Sequence, residues 1–179
     1  MDTMTLKAGE SFDSIMETYM PMVYRIAFTR LGNRADAEDI TQDVFVRLFK
    51  ADVSFESEEH RKAWLIRCTV NRIKSFAASA WFRHRASDAG LENMCEEELS
   101  TGVSDATASF TEQSDRSNAV AAAVMKLPPK YRTVIHLFYF EDMSISDISR
   151  AISVKESTVK SQLSRAREML RPMLEEVDF

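Results

Sequence analysis

Apolar residues recur every three or four positions along most of the chain, the spacing that places them on one face of an α-helix. No long segment alternates apolar and polar residues, as a half-buried strand would, and glycine and proline are rare. The pattern predicts an all-α protein. The predicted helices cover roughly residues 11–31, 34–50, 58–82, 114–127, 130–140, 144–153 and 156–170.

Breaks in the pattern mark the ends of these helices. Gly32 and Asn33 end the first, and Pro128 with Pro129 separates the fourth from the fifth. Ser144 is a plausible N-cap for the sixth. Pro21 lies inside the first helix, which it should kink or split in two.

The middle of the chain differs in composition from both ends. Residues 86–114 are acidic, rich in Ser and Thr, and poor in large apolar side chains. Such a segment buries too little apolar area to offset the entropy of ordering it. We therefore expect two small helical domains, 1–85 and 115–179, joined by a flexible acidic linker over 86–114. The linker is either a passive tether or docks through its few apolar residues (Leu91, Met94 and Leu99).

Charge is distributed unevenly along the chain. The formal net charge is −5, which by itself argues against nucleic acid. Residues 61–85, however, carry seven Lys or Arg and no acid, whereas residues 86–118 carry eight Asp or Glu and one Arg. Electrostatic binding depends on the local patch. The N-terminal half thus offers a basic surface suited to nucleic acid.

Several classes of function find little support. No apolar run is long enough to span a membrane, and no secretion signal opens the chain, so we expect a cytoplasmic protein without direct membrane insertion. Cys68 and Cys95 match no metal spacing and are interpreted as reduced thiols. The three histidines are scattered, and no paired catalytic groups or phosphate loop stand out. We expect no enzyme activity, no metal and no cofactor.

The last two predicted helices form a helix-turn-helix. In the second helix, Val159, Leu163, Ala166 and Leu170 make an apolar stripe, and the other face carries hydroxyls, Lys and Arg. Hydroxyl and basic side chains contact phosphates and base edges at close range. Alone, the segment is equally typical of an ordinary amphipathic helix packed on a core. The tight turn and the preceding helix favour DNA binding in the major groove.

Both ends of the chain resemble one family, the bacterial sigma factors of the extracytoplasmic-function (ECF) group. The C-terminal resemblance is carried by LPPKYRTVIHLFYFEDMS and MSISDISRAISVKESTVKSQLSRAREML. The N-terminal resemblance is carried by YMPMVYRIAFTRLGNRADAEDITQDVFVRLFK and KAWLIRCTVNRI. A helix-turn-helix alone is a weak signal, but both halves in the right order are specific. The resemblance implies a subunit that binds core RNA polymerase, directs it to promoters and helps open them.

The resemblance implies a role for each half. In such proteins the second helix docks on the clamp helices of the largest polymerase subunit, and the C-terminal domain meets the flap. The matching positions in the second helix are Asp39, Gln42, Asp43, Phe45 and Phe49. A solvated face with two partly buried phenylalanines is the alternative interpretation of this stripe.

The third helix resembles the element that opens and reads the −10 promoter element. Its matching residues are Trp64, Arg67, Asn71, Arg72, Lys74, Arg83 and Arg85. Aromatic stacking and basic side chains stabilise unpaired bases, by roughly 1–3 kcal/mol for each stacked base. A tryptophan at this spacing is more often a core residue than a stacking platform, so Trp64 is the least certain of these assignments. The loop 51–60, where the family captures a flipped base, is net acidic here, and no residue of it is assigned.

The helix-turn-helix is expected to read the −35 element. Its expected contacts are Lys155, Glu156, Ser157, Thr158, Lys160, Ser161, Ser164 and Arg165. Glu156 either accepts from a cytosine amino group or only favours the helix start. The family has glycine in the turn, where this chain has Ser153. Serine in a left-handed turn is strained, so the turn is expected to be built differently.

Two further expectations concern partners. Members of this group are commonly held inactive by an anti-sigma factor, so one is expected here. The rival hypothesis is a free-standing regulator that binds operator DNA through residues 144–171 and uses its N-terminal helices for dimerisation or sensing.

Overall fold

The computed structural model describes residues 11–51, 53–87 and 115–175, with the side chains of 80–87 and 115–118 not included. Within these ranges the chain forms helices and no strand. The helices are α1 (Phe12–Leu31), α2 (Arg34–Lys50), α3 (Glu58–Ser87), α4 (Asp115–Met125), α5 (Pro129–Tyr139), α6 (Ile145–Ile152) and α7 (Glu156–Glu175). The all-α prediction is confirmed.

Short polar side chains cap the N-termini of several of these helices. Asn33 accepts a hydrogen bond from the backbone nitrogen of Asp36 at 3.1 Å, and Ser144 accepts one from that of Asp147 at 3.1 Å. Gly32 ends α1 in the left-handed conformation with φ of 69°. Such caps satisfy backbone groups that have no partner inside the helix. The expected boundaries at these positions are therefore confirmed.

Pro21 does not split α1, which was one of the two outcomes predicted from the sequence. The helix runs unbroken from Phe12 to Leu31. A proline inside a helix costs about 3 kcal/mol. Ile15 precedes it and Val23 and Ile26 follow it on one buried face, and each such burial contributes about 1.5–3 kcal/mol. Packing on both sides of Pro21 outweighs the local penalty.

The third helix is longer than predicted. It continues through Ser87, so the first two residues assigned to the acidic linker belong to α3. Alanine and arginine, which dominate its last turns, favour helix, and no glycine or proline lies between Glu58 and Gly90. The rest of the predicted linker, 88–114, lies outside the described residues.

The turn between α6 and α7 keeps the geometry that glycine would adopt. Ser153 has φ of 58° and ψ of 49°, in the left-handed region. The Ser149 hydroxyl donates to the backbone carbonyl of Val154 at 2.5 Å and holds the turn closed. The expectation of a differently built turn was wrong. The helix-turn-helix forms with its ordinary backbone at the cost of one strained serine.

The helices pack as two layered groups that also touch each other. The N-terminal group packs α1 on α2 and α3, and the C-terminal group packs α7 on α4, α5 and α6. Between the groups, α1 contacts α5 and α3 contacts α6. The buried residues of both groups form one continuous apolar cluster. None of the described helices is both long and apolar enough to cross a membrane.

Candidate nucleic-acid interface

One face of α7 is apolar and packs on the other helices of the C-terminal group. Val159, Leu163, Ala166 and Leu170 are buried, as the stripe predicted. The predicted helix-turn-helix places α6 against this stripe, and α6 does pack on α7. The structure adds α4 and α5, both of which also pack on α7. The Arg167 Nε donates to the Tyr139 hydroxyl at 2.9 Å, a further tie to α5 that the sequence pattern did not show.

The opposite face of α7 is open to solvent. All eight residues predicted to read DNA there are exposed: Lys155, Glu156, Ser157, Thr158, Lys160, Ser161, Ser164 and Arg165. They occupy the turn before the helix and its first ten residues. A recognition helix presents the same N-terminal portion to base edges in the major groove. The geometry of α7 therefore suits DNA contact without any rearrangement of the helix-turn-helix.

The helix α3 carries a second predicted DNA-facing stripe. Arg67 and Asn71 are exposed on it. Trp64 is half-buried, with its ring 5.8 Å from that of Phe55 at an edge-on angle. Part of the indole is thus packed, and the rest is accessible for stacking on a base. Arg83 and Arg85 lie in the last turns of α3, where side chains are outside the described residues.

Arg72 does not share this stripe. Its Nε contacts the Asp43 carboxylate of α2, which also lies 3.8 Å from Arg47 Nε. The pair joins Arg72, which was predicted to contact DNA, with Asp43, which was predicted to contact polymerase. Both are therefore committed to holding α2 against α3. The sequence pattern could not show this pairing because it depends on how two helices pack.

The outer face of α2 is a mixed polar and aromatic surface. Asp39 and Gln42 are exposed, and Phe49 is 64% exposed with its ring edge-on to Phe12 at 5.4 Å. The exposed Val46 extends the same face. Phe45, by contrast, is only 3% exposed and belongs to the core. Its assignment to a surface contact is corrected here, because its side chain is buried in the core and is not available to a partner.

Lys74 reaches across to the C-terminal group. Its Nζ donates to the backbone carbonyl of Ile152, the last residue of α6, at 2.5 Å. Burial and the neighbouring charge of Arg30 lower the pKa of the Lys74 ammonium. Lys74, which was predicted to contact DNA, therefore makes a hydrogen bond within the chain.

Glu141 is the centre of an ion cluster that the sequence did not single out. It is 5% exposed and lies between the two groups. Lys62 Nζ is 3.4 Å from one carboxylate oxygen, and Arg25 Nη2 and His136 Nε2 are 3.9 and 3.4 Å from the other. Burial alone raises the pKa of Glu141, but the contact with His136 and the charges of Lys62 and Arg25 outweigh it and hold the pKa below its usual value.

Comparison with known proteins agrees with this architecture. Residues 15–83 match the family model of Sigma-70 region 2, and residues 117–170 match that of Sigma-70, region 4. The ECF RNA polymerase sigma factor SigW of Bacillus subtilis is 32% identical over 176 residues, covering 94% of this chain and 91% of that protein. The chain belongs to the ECF sigma factors.

Other relatives are more distant. The ECF RNA polymerase sigma-E factor of Haemophilus influenzae is 27% identical, covering 90% of this chain and 86% of that protein. The sigma factor RpoE of Bartonella quintana, solved in complex with the anti-sigma factor NepR, superimposes with a TM-score of 0.69 at 23% identity. It covers 94% of this chain and 98% of that one, and it shows that the fold is shared.

As an ECF sigma factor, the chain directs RNA polymerase to promoters. The hypothesis of a free-standing operator-binding regulator is therefore set aside. The region 2 match spans α2 and most of α3, and the region 4 match spans α4 to most of α7. The outer faces of α2 and α3 thus fall in the region 2 match, and the outer face of α7 falls in the region 4 match.

Proposed function

We propose that three surfaces of this sigma factor divide its work. The outer face of α2 docks on core RNA polymerase, the outer stripe of α3 contacts and helps open the −10 element, and the outer face of α7 reads the −35 element. The corresponding units are 1–85 and 115–179, joined by 86–114. Polymerase performs the chemistry, and the chain contributes binding alone and needs no cofactor or metal.

The observation that carries this proposal is the two-sidedness of α7. Its apolar stripe is fully committed to α4, α5 and α6, so its exposed face is not needed to stabilise the domain. A surface selected only for helix stability would favour Glu, Lys and Ala. Ser157, Thr158 and Ser161 instead supply short hydroxyls beside Lys160 and Arg165. These groups hydrogen-bond phosphates and base edges.

The polymerase-binding surface is proposed to consist of Asp39, Gln42 and Phe49. The large exposed ring of Phe49 beside a carboxylate and an amide is typical of a protein interface. Asp43 contributes to this surface indirectly, by holding α2 against α3 through Arg72.

The −10 surface is proposed to consist of Arg67, Asn71 and the exposed part of Trp64, with Lys74 joining once its contact to Ile152 is released. Basic side chains neutralise the backbone of the unpaired strand, and the indole offers a stacking platform. Arg83 and Arg85 extend the basic charge of α3 along the sequence.

Two partners follow from the family. The relatives act on RNA polymerase according to their names, and RpoE of Bartonella quintana was solved with an anti-sigma factor. We propose the same two classes of partner here, core polymerase (its clamp helices and flap) and an anti-sigma factor, together with promoter DNA. We propose that the chain acts in the cytoplasm together with these partners.

Two substitutions, one expected to weaken promoter binding and the other core binding, test this division of work. Run-off transcription with core polymerase, on a promoter from upstream of the chain's own gene, measures the whole function. Arg165→Ala should weaken promoter binding by about tenfold, the loss of one bidentate base contact, while core binding stays unchanged. Asp39→Arg should weaken core binding and leave the α7 face intact.

Matched controls lie on the same helices or their neighbours. Arg171→Ala removes an exposed arginine from α7 outside the proposed surface, and Glu17→Arg reverses an exposed charge on α1. Neither should change transcription beyond about twofold. Equal loss of core and promoter binding in Arg165→Ala would contradict the proposed division.

A further inference from the structure

The helices α1 and α2 form an antiparallel pair that is connected at one end only. Gly32 and Asn33 join Leu31 to Arg34, and the two helices pack on each other. The start of α1 and the end of α2 lie at the other end of the pair, farthest from this connection. Helix ends fray because their terminal backbone groups have no partner inside the helix. The contacts at the unconnected end therefore decide how firmly the last turn of α2 is held.

An aromatic pair joins the two helices at this unconnected end. Phe12 is the first residue of α1 and Phe49 lies in the last turn of α2, and their ring centroids are 5.4 Å apart at an interplanar angle of 71°. Aromatic rings prefer this edge-on arrangement, because the positive edge of one ring meets the negative face of the other. The first turn of α1 is itself capped, since the Ser11 hydroxyl accepts from the Ser14 backbone nitrogen at 3.2 Å. Phe12 is thus a fixed neighbour for the Phe49 ring.

Phe49 ends the outer stripe of α2. Asp39, Gln42, Val46 and Phe49 follow one another at steps of three or four residues and therefore share one face of the helix. Val46 is 45% exposed and Phe49 is 64% exposed, and Phe12 beside Phe49 is half-buried. A single exposed apolar side chain is ordinary on a protein surface. Neighbouring exposed apolar side chains beside polar ones are typical of a protein interface.

The contact with Phe12 limits the freedom of the Phe49 side chain. An exposed phenylalanine without a neighbour populates several rotamers. Ordering such a side chain when a partner binds lowers the affinity, and a side chain that is already ordered avoids this loss. The edge-on contact orders the Phe49 ring in the free chain while most of its surface stays open to a partner.

We propose that Phe12 is a positioning residue for core-polymerase binding, because its ring holds the Phe49 ring in the orientation that docks on polymerase. The first turn of α1 thereby takes part in a surface that the sequence assigned to α2 alone. The inference rests on the proposed polymerase-binding role of Phe49, and the experiment below separates the failure of that role from the failure of the positioning by Phe12.

A double-mutant cycle in binding tests the positioning. The affinity of the full chain for purified core polymerase is measured for the wild type, Phe12→Ala, Phe49→Ala and the variant with both substitutions. Phe49→Ala should weaken binding by about thirtyfold, the loss of an interface hot spot. Phe12→Ala should weaken it by about fivefold, the worth of one edge-on aromatic pair. The variant with both substitutions should bind within about twofold of Phe49→Ala alone, because Phe12 acts through Phe49.

Two further variants separate positioning from a general effect on folding. Phe12→Tyr keeps the ring and should bind core polymerase within about twofold of the wild type. Met20→Ala removes another exposed apolar side chain of α1, two turns further along the helix, and should also stay within about twofold.

Each contrary result has its own meaning. Full core binding by Phe49→Ala would overturn both the proposed role of Phe49 and the inference that rests on it. A loss in Phe49→Ala with none in Phe12→Ala would overturn the positioning and leave the polymerase surface standing. Phe12→Ala that costs the same fivefold in the Phe49→Ala background would show that Phe12 acts independently of Phe49. A loss in Phe12→Tyr as large as in Phe12→Ala would likewise overturn the proposal, because the ring is retained.

Discussion

The outer faces of α7 and α3 are both proposed to meet promoter DNA, yet they differ in what they touch within the chain. The α7 face is exposed from Lys155 to Arg165, because the helix is held from behind by an apolar stripe. Several basic residues of α3 contact other groups of the chain. Lys62 contacts Glu141, Arg72 contacts Asp43 and Lys74 contacts Ile152. A basic run in a sequence therefore overstates the charge that is available to DNA.

This difference also separates two kinds of support. Apolar burial holds α7 without using any group that DNA requires. The α3 helix is also held by buried apolar residues, but its basic face in addition uses Arg72 and Lys74 in polar contacts within the chain. The outer face of α7 is exposed in this structure, whereas part of the outer face of α3 is occupied by contacts within the chain.

The largest effect is expected from a substitution in the buried apolar stripe of α7. Leu163 is 2% exposed in the middle of the stripe. Leu163→Ala should lower the free energy of unfolding by about 3 kcal/mol, from lost burial and the cavity left behind. Urea unfolding followed by circular dichroism measures it. The neighbouring Ser164→Ala, on the exposed face, should stay within about 0.5 kcal/mol. Similar losses in both variants would contradict the two-sided description of α7.

The next effect concerns the ion cluster around Glu141 and depends on pH. Glu141→Gln should cost about 1–2 kcal/mol at pH 7, less than a fully buried pair because Arg25 and Lys62 remain partly exposed. The pKa of Glu141 is lowered in the folded chain from its ordinary 4.5. Its contribution is therefore complete above that value and disappears as the pH falls through the lowered folded pKa.

Paired urea titrations of the wild type and Glu141→Gln between pH 7 and pH 3 check this dependence. The difference in unfolding free energy should be constant at neutral pH and shrink in acid. A difference that grew as the pH fell would show that the carboxylate is held with a raised pKa instead.

A smaller effect is expected at the Arg72–Asp43 pair. The side chains are 27% and 35% exposed, so water screens their attraction. A double-mutant cycle with Arg72→Ala and Asp43→Ala should give a coupling energy of about 0.5 kcal/mol. A coupling of zero, with promoter opening lost in Arg72→Ala alone, would return Arg72 to the −10 surface as originally expected.

The smallest effect is expected at the turn before α7. Ser153→Gly should stabilise the chain by about 0.5 kcal/mol, because glycine adopts the left-handed conformation with φ of 58° without strain. Thermal unfolding measures it. Ser146→Gly in the first turn of α6 serves as the control and should instead destabilise the chain, because glycine disfavours the helical conformation that this residue adopts.

Much of the fold was accessible from sequence because helix formation is largely local. The spacing of Val159, Leu163, Ala166 and Leu170 predicted both a helix and its buried face, and Gly32 and Ser144 predicted two helix ends. Local signals misled at Pro21 and Ser153. In each case packing over many residues supplied more free energy than the local penalty.

Only part of the candidate site could be predicted from the sequence. The exposed face of α7 follows directly from the position of its stripe. The assignment of Phe45 failed because its position on α2 lies at the edge of the core stripe, where only the neighbouring helices decide burial. Glu141, Lys62, Arg25 and His136 gave no sequence signal, since they come from three helices and a loop far apart in the chain.

The sequence by itself determined the helices, the polar face of α7 and the membership of the ECF sigma factors, because periodicity, caps and motifs act over a few residues. Only the tertiary structure decided which charges are free and how the two units meet. Ion pairs such as Glu141 with Lys62 form across a separation of 79 residues, and their strength depends on burial that no single segment creates.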